Sequence, residues 1–386
     1  MEVAQYATTE FGRARQIGGR HGYVAYFPAP VPRSLDLPGP TISRLANAEG
    51  SLGRLAGIGR LLPKPELLVK PYLLREALAS TRIEGTQASL AEILETDATG
   101  GAPNADVEEV LNYIEAMRWG IGRLDRLPLS TRLFCEIHRR LMAGVRGRER
   151  APGELRRTQN WIGPPGSTVE TADFVPPPPS ELAGLLKDWE TFAHEEPEMP
   201  LLIQNALLHS QFETIHPFLD GNGRLGRLLI VFLLIARGRL PGPLLYLSSY
   251  LERRRDQYYA ALQAIRESGD PVPWLELFLA AIQVEAEDAV KRGQRLVELR
   301  DRYFEAASSL SSQNVPALVD LICENPLITA RAVETRLGVS RPTALRLLTR
   351  MEEQGVLRAS GVGQRGQRRY VAPELMDVFL AGDRPE

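Results

Sequence analysis

The sequence predicts a mainly α fold that carries one β-hairpin and is followed by a small C-terminal winged helix-turn-helix domain. Three observations predict it. Helically spaced apolar residues recur from Ile42 to Ser308, with one interruption, Asn160 to Pro176, where β-formers flank a Gly-Pro-Pro-Gly turn. The nine residues Leu228 to Ala236 are all apolar, with no polar face, which marks a helix buried on every side. After Val315 the elements shorten, and two helices joined through Gly338-Val339-Ser340 precede a glycine-rich two-strand segment.

At 386 residues the chain has room for two or three domains and a substantial core, and 44% hydrophobic with 24% charged residues is an ordinary globular balance. A net charge of −2 argues against a wholesale nucleic-acid or membrane binder. Cys135 and Cys323 sit far apart in apolar, helix-like segments and read as buried free thiols, which suits a reducing compartment. Met1 to Gln16 has no apolar core of signal-peptide length, and an uninterrupted apolar run of nine residues is too short to cross a bilayer. A cytoplasmic protein without a membrane partner is expected.

Residues 1–40, rich in Gly and Pro, read as an extended arm with a short strand near Gly22 to Phe27. Helices follow from Ile42, then from Pro71. The second ends at Ser80-Thr81-Arg82-Ile83-Glu84-Gly85, where Gly85 suits the left-handed position after a helix. Glu84 is misplaced for the helix macrodipole there, so it needs a cationic partner elsewhere. Ser89-x-x-Glu92 reads as a capping box, and helices are expected over Val107 to Leu124 and Ser130 to Met142, where His138 reads as a helix-face residue. The arginines at 146, 148, 150, 156 and 157 read as a solvated run. Ser180 to Phe192, Leu201 to Ile215 and the long Val272 to Ser308 complete the helices. His209, on the face of His216, reads as a packing residue. From Thr329 to Ala372 nine Arg face three Glu, a local balance of +6. That is a DNA-binding footprint, with Arg341 and Arg346 on the second helix as candidate contacts, although a protein-binding winged helix fits the modest charge equally.

The chemistry concentrates in His216-Pro217-Phe218-Leu219-Asp220-Gly221-Asn222-Gly223-Arg224-Leu225-Gly226-Arg227. Pro217 ends the preceding helix at His216. Gly221 and Gly223 permit a tight turn whose amides converge where the next helix begins, an anion site. Arg224 and Arg227, three apart, share a helix face toward that anion, and Asp220 can hold a divalent metal that the anion shares. His216 supplies a base.

The pattern H-P-F-x-D-G-N-G-R-x-x-R specifies nine of twelve positions, and all nine match. It resembles the Fic (Fido-domain) family. Ser80-x-x-x-Glu84-Gly85 is similar to the family's inhibitory motif, about 130 residues upstream, and R-x-x-Q-N-W-I-G with A-x-F-V-P-P-P-P is similar to the family's flap. The resemblance implies an N-terminal helical region at 41–125 containing the inhibitory helix, a catalytic core at 126–270, a linker helix at 271–312 and the winged-helix domain at 313–386. It implies AMP transfer from ATP to a Ser, Thr or Tyr hydroxyl of a target protein. His216 would be the base and Asp220 the Mg²⁺ ligand. Gly221, Asn222, Gly223, Arg224, Leu225, Gly226 and Arg227 would bind nucleotide, with Arg254 as a further contact. Ser80, Glu84 and Gly85 would inhibit by pairing Glu84 with Arg227. Ser167, Thr168, Val169, Glu170, Thr171 and Ala172 would dock the target by strand addition. Auto-modification and a homodimer are expected alongside. Two alternatives stay open: transfer of another nucleotide or phosphate group, or removal of AMP, by the same site; and a DNA-binding transcription regulator with a nucleotide-sensing Fic domain.

Overall fold

A computed structural model describes residues 1–18, 22–61, 66–145, 149–307, 312–362 and 368–380. The N-terminal arm holds a regular antiparallel hairpin, β1 (Gly12–Ile17) and β2 (Tyr23–Pro28), paired from Gly12↔Pro28 to Ile17↔Tyr23. The sequence reading anticipated the second strand and missed the first. Tyr6, Ala14, Tyr26 and Phe174 gather in one small cluster, while Phe11 joins the main core, and together they hold the ribbon against the helical body.

The body consists of α1 (Gly39–Leu61), α2 (Glu66–Ile83), α3 (Leu90–Thr99), α4 (Ala105–Ile121), α5 (Thr131–Leu141), α6 (Leu182–His194), α7 (Leu201–Ile215), α8 (Asn222–Ala236), α9 (Ser248–Glu252), α10 (Arg255–Ser268) and α11 (Val272–Ala307). Local signals start and stop them. Ser89 caps α3 in a reciprocal box with Glu92, Asn104 caps α4, and Ser130 caps α5. The all-apolar α8 lies in the middle, packed on α7, α4, α5 and α2, and Leu228 to Leu234 are buried without exception. Its neighbour α7 is buried along almost its whole length between α6, α8 and α11, so its polar side chains bond inward. Gln204 donates to the Phe192 carbonyl at 2.6 Å and Asn205 to the Ile230 carbonyl at 3.0 Å. His209 sits 3.1 Å from the Gly226 carbonyl through Nδ1 and 2.8 Å from the Tyr258 hydroxyl through Nε2, the packing role its sequence position suggested.

The long α11 runs along α1 and reaches the C-terminal unit. That unit comprises α12 (Val315–Glu324), β3 (Leu327–Thr329), α13 (Ala330–Leu337), α14 (Arg341–Glu353), β4 (Arg358–Val362), β5 (Arg368–Val371) and α15 (Pro373–Leu380), with strand order β3-β5-β4. It docks on α3: Asn325 donates to Asp97 at 2.9 Å, the Thr329 hydroxyl to the Ala98 carbonyl at 3.0 Å, and Arg369 pairs with Glu95 at 2.5 Å. Gly363 and Gly366, expected in the strand-to-strand turn, and Arg146 and Arg148 lie outside the described residues. Both cysteines are free; Cys323 is buried, but Cys135, expected to be buried, is only half-buried on α5. Among the described residues no helix is long and apolar enough to cross a membrane.

Candidate active site

Helix α7 ends where Pro217 forbids its continuation, and His216 takes the left-handed conformation at φ 49°, ψ 60°. Only Ala151 shares that feature among the described non-glycine residues. Such a backbone persists when its surroundings over-determine it. Arg156 donates through Nε to the His216 carbonyl at 2.9 Å and through Nη2 to the Pro177 carbonyl at 2.5 Å, while its backbone amide holds the Pro217 carbonyl at 2.9 Å. Asn160 adds a bond to the Phe218 carbonyl at 2.9 Å. The arginine run is therefore not a solvated face at this position: Arg156 is 3% exposed, its charge directed at carbonyl oxygens.

Burial, then the cations of Arg156 and Arg266, pushes the His216 imidazole down to about 4, so it is neutral at pH 7. Its Nδ1 lies 3.4 Å from the Glu213 carbonyl, which can only accept; the proton sits on Nδ1 and the lone pair on Nε2.

Six residues on, α8 begins. The Asn222 side chain is spent on the loop, accepting from the Phe218 amide at 2.8 Å and donating to the Phe218 carbonyl at 2.9 Å, so only its backbone faces outward. Gly221 caps the helix at φ 75°, and its amide donates to Asp220 Oδ1 at 2.6 Å. The Leu225 amide already bonds the Gly221 carbonyl at 3.1 Å. The amides left without an intrahelical partner are those of Asn222, Gly223 and Arg224. Leu225 is fully buried in the core, and Gly226 is a packing glycine, because a Cβ there would strike Glu213 Oε1 and Phe212.

Arg224, 5% exposed, approaches Met142 Sδ at 3.2 Å and Asp220 Oδ1 at 3.6 Å, while its Nε has no hydrogen-bond partner among the described residues. An anion on the α8 amides would supply one. Arg227 points the other way, toward α2. It donates through Nε to Ser80 Oγ at 2.9 Å and through Nη2 to the Ser80 carbonyl at 2.9 Å and Glu84 Oε1 at 2.7 Å. Glu84 is delivered there by the end of α2, a Schellman arrangement in which Gly85 (φ 97°) donates to Arg82 and Thr86 to Thr81. Burial opposes both charges, but each outweighs that penalty for the other: the carboxyl of Glu84 is held below its usual range and the Arg227 guanidinium above its own. Glu213, buried on α7 with Oε1 unpartnered among the described residues, behaves oppositely. Burial raises it to about 7, against the pull of Arg227.

Asp220 is the one acid of the loop, with Oδ2 3.9 Å from Arg150. Among the described residues no three metal-ligating side chains cluster, and Asp220 is the carboxylate beside the open α8 amides. The expected strand edge at Ser167 to Ala172 is a series of turns: one bridge, Ile162↔Phe174, closes the flap, and the Thr168 and Thr171 side chains bond locally. Hydroxyl-to-backbone bonding competes with strand pairing. The β2 amide of Tyr26 holds the Val175 carbonyl at 2.9 Å. Arg254 stacks on the Tyr250 ring at 4.0 Å and makes no bond to the motif among the described residues. Arg341 and Arg346 are exposed on α14, away from this site.

Residues 42–122 match the family model described as Fic/DOC family N-terminal, and residues 128–234 match that of the Fic/DOC family. Two successive stretches of the chain thus match Fic/DOC family regions. It is 34% identical over 203 residues to the protein adenylyltransferase Fic of Drosophila grimshawi, covering 51% of this chain and 38% of that one. It is 30% identical over 239 residues to the counterpart from Drosophila willistoni, covering 60% and 44%. The chain thus spans less than half the length of these relatives. In fold it is similar to a Fic family protein from Desulfovibrio desulfuricans, with TM-score 0.56 at 21% identity over 88% of this chain and 97% of that one.

Sequence reasoning assigned the Fic motif residues and passed over the groups that hold them. Arg156 and Asn160 had a signal, the R-x-x-Q-N-W-I-G run, but it pointed to the flap. His138 was set aside as a helix-face residue. It is 1% exposed, burial pushes it down to about 4, and it lies under the loop that leads into α8, stacked on Phe218.

Proposed function

We propose that the protein is a Fic-type protein adenylyltransferase, transferring AMP from ATP to a Ser, Thr or Tyr hydroxyl of a target protein and held in check by Glu84. The observation that carries this reading is the neutral His216, fixed in a left-handed turn six residues ahead of three open helix amides and two buried arginines.

His216 Nε2 takes the proton of the acceptor hydroxyl as its oxygen attacks the α-phosphorus; the bond to the β-phosphate oxygen breaks and pyrophosphate leaves. The amides of Asn222, Gly223 and Arg224, with the Arg224 guanidinium, stabilise charge growing on the phosphates. Asp220 would hold Mg²⁺, which would supply positive charge to the triphosphate. With Glu84 on Arg227, the guanidinium cannot bind the γ-phosphate, and the carboxylate repels the triphosphate. Glu84→Gly, or a partner that withdraws α2, frees Arg227. The loop at Ser167 to Ala172 would then receive the target, with auto-modification as the activity visible without one.

Incubating the Glu84→Gly protein with ATP labelled on the α-phosphate and, separately, on the γ-phosphate tests the reading. Label on protein from the α-position alone supports it. Label from the γ-position indicates phosphoryl transfer, and release of AMP from pre-modified protein indicates the reverse activity.

A second reading concerns residues 313–386 as a winged helix on duplex DNA. Its support is the exposed side of α14, which carries Arg341, Leu345, Arg346 and Arg350; Arg341 and Arg350 pair with Glu334 and Glu353, and Arg346 has no acidic partner among the described residues. Binding to duplex DNA that weakens steeply with salt and is lost in Arg341→Ala/Arg346→Ala supports it; salt-independent or absent binding removes it.

A further inference from the structure

We infer that His138 is a positioning residue of the active site, which sets the orientation of the Asp220–Gly221 peptide and through it both the Asp220 carboxylate and the entrance to the α8 anion site.

The geometry assigns the proton. The Gly153 amide donates to His138 Nδ1 at 2.8 Å, so Nδ1 carries the lone pair and the neutral ring bears its proton on Nε2. That proton can go only to the Asp220 carbonyl, 2.8 Å from Nε2. The ring is held flat by stacking on Phe218, centroids 4.0 Å apart and planes 10° apart.

In a trans peptide the carbonyl and the amide of the following residue point in opposite directions. Holding the Asp220 carbonyl on the protein side therefore turns the Gly221 amide away from His138, where it donates to Asp220 Oδ1 at 2.6 Å. Gly221 sits at φ 75°, a residue free to take either peptide orientation, so the loop itself does not choose. A Cβ on Gly221 would come within 2.8 Å of Met142 Sδ and 3.2 Å of His138 Nε2, so the loop is seated directly on this support. Without the His138 donor the peptide can flip, the carboxylate loses its anchor, and a carbonyl oxygen turns toward the phosphates.

The rate arm of the test rests on the adenylyl-transfer reading; the spectroscopic arm does not. In the Glu84→Gly background, His138→Gln keeps a donor near the Nε2 position, whereas His138→Asn keeps an acceptor near Nδ1 and loses that donor. At saturating ATP, kcat is expected to fall at least tenfold in His138→Asn and to stay within threefold in His138→Gln, with the concentration of Mg²⁺ giving half-maximal rate raised in His138→Asn alone. A purely structural role predicts parallel changes; equal kcat in the two variants, retained or lost, overturns the inference. Independently of any variant or activity, ¹⁵N-histidine spectra of the unmodified protein at pH 7.5 should show His138 with Nε2 protonated and Nδ1 bare. The Nδ1–H tautomer would overturn it.

Discussion

At the residue scale, much follows from where histidine protons are. His138, His209 and His216 are buried neutral, with values pushed down to about 4, 3 and 4 by desolvation first. The unfolded chain takes up protons near the ordinary histidine value of about 6.5, so it binds more protons than the native state below that pH. Stability from these groups is therefore full above about pH 6.5 and declines as pH falls toward 4, whereas Glu213 and Glu285, raised to about 7 by burial, gain over the same window; in Glu213→Gln/Glu285→Gln, where only the histidine contribution is left of the two, thermal midpoints measured from pH 7.5 to 4.5 should decline. The same shift predicts activity. In the Glu84→Gly protein, kcat/KM should show no histidine-type acid limb at 6.5, the loss appearing only as pH approaches the His216 value; a midpoint at 6.5 would mean that the base is a solvated imidazole. Arg156→Ala should lower kcat by an order of magnitude or more, because His216 loses the bond that holds its strained carbonyl; rates measured at saturating ATP check this. The motif was legible because it is local: base, turn and arginines fall within twelve residues. Arg156, Asn160 and His138 were not, since what they hold is a set of backbone carbonyls some 60 to 80 positions away, which no spacing announces.

At the element scale, α2 is the moving part the account requires. Its last turn carries both Ser80 and Glu84 to Arg227, and Glu76 lower on the same helix is buried against Tyr113 Oη at 2.9 Å and the Ser248 amide at 2.9 Å. Removing Glu84 leaves Arg227 its two bonds to Ser80. The stability cost of Glu84→Gly should therefore resemble that of a partly exposed pair, about 1 kcal/mol, rather than the roughly 3–5 kcal/mol of a buried charge stripped of every partner. A small drop in thermal midpoint with a large gain in rate is expected; a drop of ten degrees or more would say that the pair is structural. Helix ends were readable in advance wherever a cap was local, as at Ser89, Ser130 and Gly85. The flap was not, because side-chain hydroxyls at Thr168 and Thr171 outcompete the pairing that its β-formers suggest.

At the scale of the whole molecule, the C-terminal unit is fastened to α3, the helix that follows Glu84 and Gly85. Thr329 does two jobs, capping α13 through the Ala332 amide and bonding the Ala98 carbonyl. Thr329→Ala should cost about 1–2 kcal/mol, lowering the thermal midpoint by a few degrees in a chain of this size. Composition and periodicity foretold the helical body and the change of style after Val315, but not the docking of one on the other. That contact is made by Asn325, Thr329 and Arg369, polar residues whose partners on α3 lie more than 220 positions earlier.

The most direct test of the central claim is intact-mass spectrometry of the unmodified protein, Glu84→Gly, and Glu84→Gly/His216→Ala after incubation with ATP and Mg²⁺. The account predicts an added AMP moiety in the Glu84→Gly protein, little in the unmodified protein and none in the double variant. No added mass in Glu84→Gly, or the same addition with His216 replaced, would contradict it.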